Sequence, residues 1–149
     1  MNVEELRARE QIRDIISRYN HAGDRGRIEE LAACFAEDGV LEIAGTGEFA
    51  GRAAIIEQLR GVVAEGARAV EAPRVFHHVS SIKIEFTSFD EARAYSYFLV
   101  FTEVGLDHWG RYSDRFKLRA GDWEFAHRRV RVHGATPSSR MAQEFRVPA

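Results

Sequence analysis

Two adjacent histidines, His77 and His78, stand in the stretch RVFHHVSSIKIEF, whose composition is typical of a β-strand. Successive side chains of a strand point to opposite faces of the sheet, so the pair cannot share one pocket unless the strand is bulged. Strict alternation places His78 on the face of the isoleucines of this stretch and His77 on the other face. A bulge near Ser80 and Ser81 would reverse this facing, so either histidine is a candidate for the interior.

A histidine that faces a pocket is suited to proton abstraction, because an unperturbed pKa of about 6.5 leaves much of it uncharged at neutral pH. A buried carboxylate on the far ring nitrogen would fix the tautomer and favour the imidazolium that forms. Asp24, in the stretch AGDRG, is a carboxylate with two interpretations. It precedes a predicted helix and would cap that helix by accepting a backbone hydrogen bond, or it would serve chemistry.

Further polar side chains that could enter a pocket lie on the later predicted strands. One face of DHWGRYSDRFKLR carries His108, Gly110, Tyr112, Asp114, Phe116 and Leu118. Polar groups at the open end and apolar groups deeper are what a small-molecule pocket needs. In HRRVRV, the alternation neighbours of Arg128 are small or apolar, which favours an inward arginine. Tyr19, on the first predicted helix, lies at a position where packing is the more ordinary role.

The sequence predicts neither a metal ion nor a cofactor. His77 and His78 diverge on a strand, while His127 and His133 are six residues apart on another, which is roughly 20 Å at about 3.3 Å per residue. The chain has no phosphate loop, dinucleotide fingerprint, zinc-ligand spacing or nucleophile elbow. The single cysteine, Cys34, lies among apolar residues of the second predicted helix and is expected to be a small core residue.

Helices in the first half of the chain and strands in the second must position these residues. Apolar positions recur at helical spacing from Val3 to His21, which predicts an amphipathic helix. RIEELAACFAEDG predicts a second, shorter helix that ends at Gly39, VLEIAG predicts a brief strand, and GRAAIIEQLRGVVAEGA predicts a third helix. Long strands are predicted for VFHHVSSIKIEF, ARAYSYFLVFTEV, HWGRYSDRFKLR and WEFAHRRVRVHG, with SFDE and RAGD as turns.

This order of elements predicts an α+β fold, in which a curved antiparallel sheet wraps three N-terminal helices and encloses a cavity. A length of 149 residues with 45% hydrophobic residues suits one globular domain. We assign residues 1–134 to that domain and residues 135–149 to a C-terminal tail. The tail has no clear period, so we expect it to be disordered or to dock on a neighbouring subunit.

Charge and hydropathy indicate which kinds of molecule the protein is expected to bind. The net charge of -2 is spread along the chain, so we expect no nucleic acid and no anionic membrane as partner, and we favour a small-molecule substrate or further subunits. The amino terminus is charged where a signal peptide would be apolar, and no apolar run approaches the length of a membrane span. We therefore expect a cytoplasmic protein.

Three stretches of the chain resemble a known family: IRDIISRYNHAGDRGRIEELAACFAEDGVLEIAGTGEFAG, FHHVSSIKIEF and GRYSDRFKLRAGDWEFAHRR. They are similar to the SnoaL-like branch of the nuclear transport factor 2-like superfamily, and within it to scytalone dehydratases and hexachlorocyclohexane dehydrochlorinases. The resemblance covers about Glu5 to His133. It implies a cone-shaped, cystatin-like α+β barrel, a fold that carries lyases, isomerases, hydrolases and non-catalytic modules.

The resemblance also implies roles for individual residues. Asp24 stands where both groups of lyases keep the carboxylate that partners a histidine, and His77 stands where they keep that histidine as a base. Arg128 matches an arginine that the dehydrochlorinases use and the scytalone dehydratases lack. Tyr19 and Tyr112 fall at positions that line the pocket.

One position departs from the pattern of the related enzymes. Ile43 stands where scytalone dehydratases use a tyrosine to hold a water molecule, and where ketosteroid isomerases place their base carboxylate. Without that tyrosine, the chain does not match the enzymes that act on scytalone. An isoleucine cannot abstract a proton, so the chain does not match the ketosteroid isomerase mechanism either.

We therefore predict a cofactor-independent lyase, a dehydratase or dehydrohalogenase that acts on a small cyclic hydrophobic molecule. His77 would take a proton from carbon with Asp24 as its partner, and Arg128 would offer positive charge to the departing anion. The candidates for contact with substrate and for proton donation to a departing hydroxyl are Tyr19, Tyr112 and His108. Two alternatives remain open: an isomerase that shares the proton abstraction, and a non-catalytic module that captures a ligand or assembles through its sheet.

The outer face of the predicted sheet indicates assembly. Tyr95, Tyr97, Leu99 and Phe101 alternate onto one face of a strand, and an apolar surface of this kind is expected to be buried between subunits. The resemblance to the two groups of lyases implies a homotrimer, while dimers are commoner across the superfamily. We predict a homo-oligomer, with a trimer favoured and a dimer as the alternative.

Overall fold

Helices come early in the chain and long strands follow, in a computed structural model that describes residues 1–67 and 74–141. The helices are α1 (Val3–Asp24), α2 (Ile28–Ala32) and α3 (Arg52–Ala67). The strands are β1 (Phe35–Ile43), β2 (Gly47–Ala50), β3 (Phe76–Phe86), β4 (Glu91–Thr102), β5 (Gly105–Arg119) and β6 (Asp122–Ala135). Among the helices in the described ranges, none combines the length and the apolar character that a membrane crossing requires. The α+β class predicted from the sequence is confirmed.

Helix α1 supplies most of the buried helical residues of the core. Its amino terminus is capped by Asn2, whose side chain accepts a hydrogen bond of 2.8 Å from the backbone N–H of Glu5. The buried stripe of the helix includes Ile12, Ile15, Ile16 and Tyr19. The helix continues past its predicted end at His21 as far as Asp24, and this extra turn carries a carboxylate to the edge of the sheet.

The segment after α1 differs from the sequence prediction. Helix α2 ends at Ala32 and β1 begins at Phe35, so the prediction of a helix as far as Gly39 is wrong. The side chain of Phe35 is fully buried, and the pairing of β1 with β6 overrides the local helical propensity. Cys34 therefore lies in the turn before β1 rather than in a helix, where it is buried and donates a hydrogen bond to the carbonyl of Glu30.

The six strands of the described ranges form one sheet in the order β2-β1-β6-β5-β4-β3. Neighbouring strands are antiparallel except for β1 and β6, which run parallel. The inner face of the sheet packs on α1, which contacts both β3 and β6. Along β4 the residues alternate strictly between buried and exposed, so the sheet has one core face and one outer face. The short strand β2 was not predicted from the sequence.

A bulge in β3 decides which of its side chains face the interior. The pairing of β3 with β4 shifts between Ser80 and Lys83, and Ser81 at the shift has a φ of 51°. Before the bulge His77 faces inward and His78 faces outward, whereas after it the isoleucines of the strand face inward. The bulge predicted near Ser80 and Ser81 is therefore present.

A second bulge lies in β5. Val100 of β4 pairs with His108, and the next residue of β4, Phe101, pairs with Leu106, which leaves Asp107 as the extra residue. Asp107 and His108 are both buried although they are neighbours in the sequence. The bulge thus brings an acid and a histidine to the same side of the sheet.

The first residue of the predicted C-terminal tail, Ala135, ends β6, and the rest of its described part, residues 136–141, lies against its own chain. The backbone N–H of Thr136 donates to the carbonyl of Asp107 at 2.8 Å, and Arg140 forms an ion pair with Glu103. Residues 142–149 of the predicted tail lie outside the described residues.

Candidate active site

A cavity of about 330 Å³ lies between the inner face of the sheet and the helices. Its wall is mainly apolar, which suits a small hydrophobic molecule. The apolar lining includes Ile28, Leu31, Leu41, Ile43, Leu59, Val62, Val63, Val75, Phe98, Val130, Val132 and Met141. The polar side chains in the lining are Tyr19, Asn20, Asp24, His77, His108 and Tyr112.

His77 and Asp24 form a hydrogen-bonded pair at this cavity. The Nδ1 atom of His77 lies 2.5 Å from Oδ1 of Asp24, and the backbone N–H of His77 donates to Oδ2 at 3.0 Å. One carboxylate therefore holds both the ring and the backbone of the same residue. Because an ionised carboxylate only accepts hydrogen bonds, Nδ1 carries the proton in the neutral ring and Nε2 is the basic nitrogen.

Asp24 reaches His77 because the carboxyl end of α1 lies beside the edge strand β3. Asp24 is the last residue of α1, and β3 is the edge strand of the sheet, so the backbone N–H of His77 points toward the helix end. The alternative interpretation of Asp24 as the cap of the second helix is wrong. Helix α2 begins after Arg27, which occupies the cap position, and among the described residues no side chain makes a capping hydrogen bond there.

His78 lies on the opposite face of β3 from His77. The side chain of His78 is exposed and contacts the ring of Phe101, with a centroid distance of 5.1 Å. The ring of His77 lies 6.3 Å from that of Phe98 in the cavity wall. The two histidines therefore have separate surroundings and cannot bind one ligand together.

Arg128 lies behind the wall of the cavity. It is fully buried and donates two hydrogen bonds, of 2.9 and 2.8 Å, to the carboxylate of Asp114. Its guanidinium carbon lies 3.9 Å from the ring centre of Tyr112, 4.2 Å from that of Tyr19 and 4.3 Å from that of Phe125. Arg128 is not among the described residues that line the cavity. Its Nη1 is buried and has no hydrogen-bond partner within the described residues, so the contact with a leaving group that the resemblance implies for Arg128 stays a prediction.

Burial controls the ionisation of this ion pair and of the tyrosines beside it. Burial alone would lower the pKa of Arg128, but the charge and hydrogen bonds of Asp114 raise it above its ordinary value. Burial raises the pKa of Asp114 against the opposing pull of the guanidinium. Burial also raises the pKa of Tyr19 and of Tyr112, and the charge of Arg128 offsets only part of this rise. Both tyrosines therefore keep their protons near neutral pH.

The hydroxyl of Tyr112 is oriented by a neighbour in α1. It donates to Oδ1 of Asn20 at 3.2 Å, and Nδ2 of Asn20 donates to the carbonyl of Ile16 at 2.9 Å. The rings of Tyr19 and Tyr112 pack edge to face with a centroid distance of 6.2 Å. Both tyrosines thus line the cavity, as the resemblance implies, and their rings are held from behind by the guanidinium of Arg128.

His108, which also lines the cavity, is paired with the carboxylate of Asp107 behind it. Nδ1 of His108 lies 2.8 Å from Oδ1 of Asp107. The fully buried Asp107 also accepts hydrogen bonds from Thr102 at 3.1 Å, from Ser139 at 2.5 Å and from the backbone N–H of Arg140 at 2.6 Å. Burial would raise the pKa of Asp107, but these hydrogen bonds hold it below its ordinary value. Burial lowers the pKa of His108, although Asp107 opposes this.

One group of side chains on the outer face of the sheet has the residue types that bind metal ions. In the part of the chain that the structure describes, Glu42, Glu48 and His127 place ligand atoms within 4.8 Å of one another. Glu42 is already paired, since it accepts from Nε of Arg129 at 2.9 Å and lies 3.1 Å from Nε2 of His127. The three residues come from three strands, so sequence spacing could not have identified the group, and ion pairing accounts for it.

Sequence reasoning missed two polar residues that hydrogen-bond to side chains of the cavity lining, Asn20 and Asp107. Asn20 stands four residues after Ile16 and eight after Ile12, so its position on the apolar stripe of the helix was the signal that could have identified it. Strict alternation assigns Asp107 to the face opposite His108. An acidic residue directly before a histidine, next to a turn, was the signal that could have identified Asp107.

Comparison with known proteins gives a family and several similar structures. Residues 4–129 match the family described as a SnoaL-like domain. A candidate scytalone dehydratase from Novosphingobium aromaticivorans DSM 12444 is 28% identical, with a TM-score of 0.77 and coverage of 91% of each chain. The hexachlorocyclohexane dehydrochlorinase LinA-type3 from Novosphingobium barchaimii LL02 is 20% identical, with a TM-score of 0.79 and coverage of 100% of each chain.

Similar structures also include proteins without a known activity. A protein of unknown function with a cystatin-like fold, from Nostoc punctiforme PCC 73102, is 22% identical, with a TM-score of 0.74 over 89% of this chain and 93% of that chain. No curated protein matches the chain significantly. At these identities, the dehydrochlorinase and the Nostoc protein show a shared fold alone.

Proposed function

Because the chain belongs to the SnoaL-like domain family of the nuclear transport factor 2-like superfamily, we propose that its cavity is the active site of a cofactor-independent lyase. The reaction is a β-elimination on a small cyclic hydrophobic molecule, either a dehydration or a dehydrohalogenation. The observation that carries the proposal is the hydrogen-bonded pair of His77 and Asp24 in a mainly apolar cavity. The 28% identity with a candidate scytalone dehydratase supports the same class of reaction.

The proposed reaction begins with proton transfer to His77. Its Nε2 takes a proton from a substrate carbon, and the electrons of the C–H bond form the new double bond. The leaving group departs from the neighbouring carbon with its bonding electrons, as a halide or as a hydroxide that gains a proton to become water. Asp24 stabilises the imidazolium and holds its tautomer. The apolar wall excludes water, which strengthens these electrostatic interactions.

A departing hydroxyl has a proton source in the same histidine. The imidazolium of His77 returns its proton to a hydroxyl that leaves from the same face of the substrate, so atoms and charges balance without a further reactant. Tyr112 is less suited to this step, because its hydroxyl hydrogen is engaged with Asn20. Arg128 acts in this proposal as a positioning residue that supports the rings of Tyr112 and Tyr19 from behind.

The test is a panel of halogenated and hydroxylated ring compounds, assayed for halide release and for the new double bond by NMR. On any compound that is turned over, we expect His77→Ala to lower kcat/KM by roughly 10²–10⁴-fold, the usual contribution of a positioned base. Asp24→Asn should also lower it, because the amide no longer favours the required tautomer. The matched control is His78→Ala on the outer face, which should leave kcat/KM nearly unchanged.

Other results would contradict the proposal. Equal activity of His77→Ala and the wild type would exclude His77 as the base. Binding of panel compounds to the folded wild type without any turnover would favour the ligand-binding module. The panel also includes a cyclic enone whose double bond can migrate, and turnover of that compound alone would favour an isomerase. The isomerase has less support, because Ile43 lines the cavity where ketosteroid isomerases place a carboxylate.

A further inference from the structure

We propose that residues 136–141, which we call the terminal segment, set an upper limit on the size of the substrate, with Met141 as the specificity-determining residue. The inference deepens the proposed lyase function and rests on it for the identity of the cavity as the active site. It narrows the substrate class from small cyclic molecules in general to molecules that carry a single ring rather than two fused rings.

The terminal segment is held by one residue of the sheet, Asp107. At the start of the segment, the backbone N–H of Thr136 donates to the carbonyl of Asp107 at 2.8 Å. Near its end, the hydroxyl of Ser139 donates to Oδ1 of Asp107 at 2.5 Å, and the backbone N–H of Arg140 donates to Oδ2 at 2.6 Å. Both oxygens of one carboxylate therefore hold the residues that come directly before Met141.

The carboxylate of Asp107 is a buried and charged anchor. It is fully buried in β5 and accepts a further hydrogen bond of 3.1 Å from the hydroxyl of Thr102, at the end of β4. Burial would raise the pKa of Asp107, but its hydrogen bonds hold that pKa below the ordinary value, so the carboxylate is ionised near neutral pH. Hydrogen bonds to an ionised acceptor are stronger than those between neutral groups. An ion pair between Arg140 and Glu103, in the turn after β4, holds the segment at a second point.

Met141 is the residue through which the terminal segment contributes to the cavity wall. Within the ranges that the structure describes, it is the one member of the segment in the lining. The backbone N–H of Met141 donates to the hydroxyl of Ser139 at 3.2 Å, and this hydroxyl is itself bound to Asp107. Asp107 also lies 2.8 Å from Nδ1 of His108, another lining residue, so one anchor fixes two parts of the wall.

The volume of the cavity explains why this one side chain limits the size of the substrate. An apolar cavity of about 150 Å³ holds one benzene molecule, so two fused rings need roughly twice that space. The cavity has a volume of about 330 Å³, so two fused rings would have to fill nearly all of it. The unbranched side chain of Met141 adapts to a single ring but occupies space that a second ring needs. Because Met141 lies outside the helices and strands, its truncation enlarges the cavity without disturbing their packing.

The test compares phenol with 1-naphthol, which carries a second fused ring, by calorimetric titration of the full chain. Met141→Ala should raise the affinity for 1-naphthol relative to phenol by about 10-fold, since one methylene group in an apolar pocket changes affinity by about 10-fold or more. Ser139→Ala, which removes the hydroxyl between Asp107 and Met141, should raise the same ratio by a smaller factor. Ser88→Ala is the matched control, because it removes a hydroxyl in the turn before β4, and it should leave the ratio unchanged.

Three outcomes would overturn the inference. They are an unchanged ratio in either variant of the terminal segment, an equal change in Ser88→Ala, and a wild type that does not bind phenol. The two variants of the segment alter different side chains, so a folding defect in one of them cannot hide the answer from the other. The assay measures binding alone, so its failure is distinct from that of the lyase proposal, which shows as an absence of turnover or as turnover without dependence on His77.

Discussion

Asp24 occupies a helical position that helix stability alone does not favour. A carboxylate at the carboxyl end of a helix meets the negative end of the helix dipole, which costs about 0.3–1 kcal/mol. The two hydrogen bonds to His77 offset this cost. The placement of Asp24 is therefore explained by its partner on β3 rather than by the helix that it ends.

Arg128 is a buried charged residue that is held by one carboxylate and several aromatic rings. Asp114 accepts two of its hydrogen bonds, and aromatic rings, including those of Tyr19 and Tyr112, surround the guanidinium. A buried ion pair of this kind is often no more stabilising than apolar residues of the same volume, but the loss of one partner leaves an uncompensated charge. The pair thus holds the tyrosines in place and makes the core sensitive to single substitutions.

Arg128→Met is expected to lower the free energy of unfolding by roughly 3–5 kcal/mol, because the carboxylate of Asp114 would be buried without its partner. The double variant Arg128→Met with Asp114→Leu removes both charges and should recover most of that loss. Urea titrations of both variants and the wild type measure these free energies. A single variant as stable as the wild type would show that the ion pair does not stabilise the fold.

Bulges in β3 and β5 decide which side chains of these two strands face inward. In β3 the bulge at Ser81 sets His77 inward while the isoleucines beyond it also face the core. In β5 the bulge at Asp107 sets both Asp107 and His108 inward. Bulges are frequent beside active sites because they re-aim side chains at a small energetic cost. Here both bulges involve the pairing with β4, which itself alternates strictly.

Substitutions at Ser81 should report on the backbone of the β3 bulge. Ser81 has a positive φ, a conformation that a β-branched residue adopts poorly, so Ser81→Val should lower the free energy of unfolding by more than about 1 kcal/mol. Ser81→Gly should stay within about 1 kcal/mol of the wild type, since glycine adopts this conformation without strain. The matched control is Ser80→Val at an exposed strand position with ordinary backbone, which chemical denaturation should find neutral. Equal effects of the two valines would argue against the bulge.

The outer face of the sheet in β3 and β4 is exposed and apolar in the single chain. Its exposed fractions are 54% for Phe76, 41% for Tyr95, 58% for Tyr97 and 42% for Leu99. Adjacent apolar side chains of this size mark interaction surfaces more often than free surface. A homo-oligomer that buries this face, with a trimer favoured, remains a prediction.

Charges on this face should prevent assembly without disturbing the interior. We expect the wild type to be an oligomer by light scattering at micromolar concentration, and Tyr97→Glu combined with Leu99→Lys to be a monomer, because both side chains point away from the core. Arg13→Glu, on the exposed face of α1, is the control and should leave the mass unchanged. A monomeric wild type would contradict the prediction.

The sequence by itself determined the order of the three helices and the long strands, although it missed β2 and the start of β1. The amphipathic period of α1 and the aromatic and β-branched residues of β3 to β6 are local properties, and each matches an observed element. Alternation placed Tyr112 and His108 on one face of a strand, and the resemblance to the family implied pocket positions for Tyr19 and Tyr112; all three residues line the cavity. The boundary between α2 and β1 was not, because pairing with the distant strand β6 decides it.

Only the tertiary structure decided how the candidate residues face one another. The choice between His77 and His78 depends on a bulge, and the inward position of Asp107 depends on another. Burial behind two tyrosines removes Arg128 from the cavity wall, although alternation correctly indicated that it points inward. The period of a sequence indicates which residues share a face. The register between strands that are far apart in the chain decides which side chains come into contact, and a bulge of one residue reverses the facing of every side chain on one side of it.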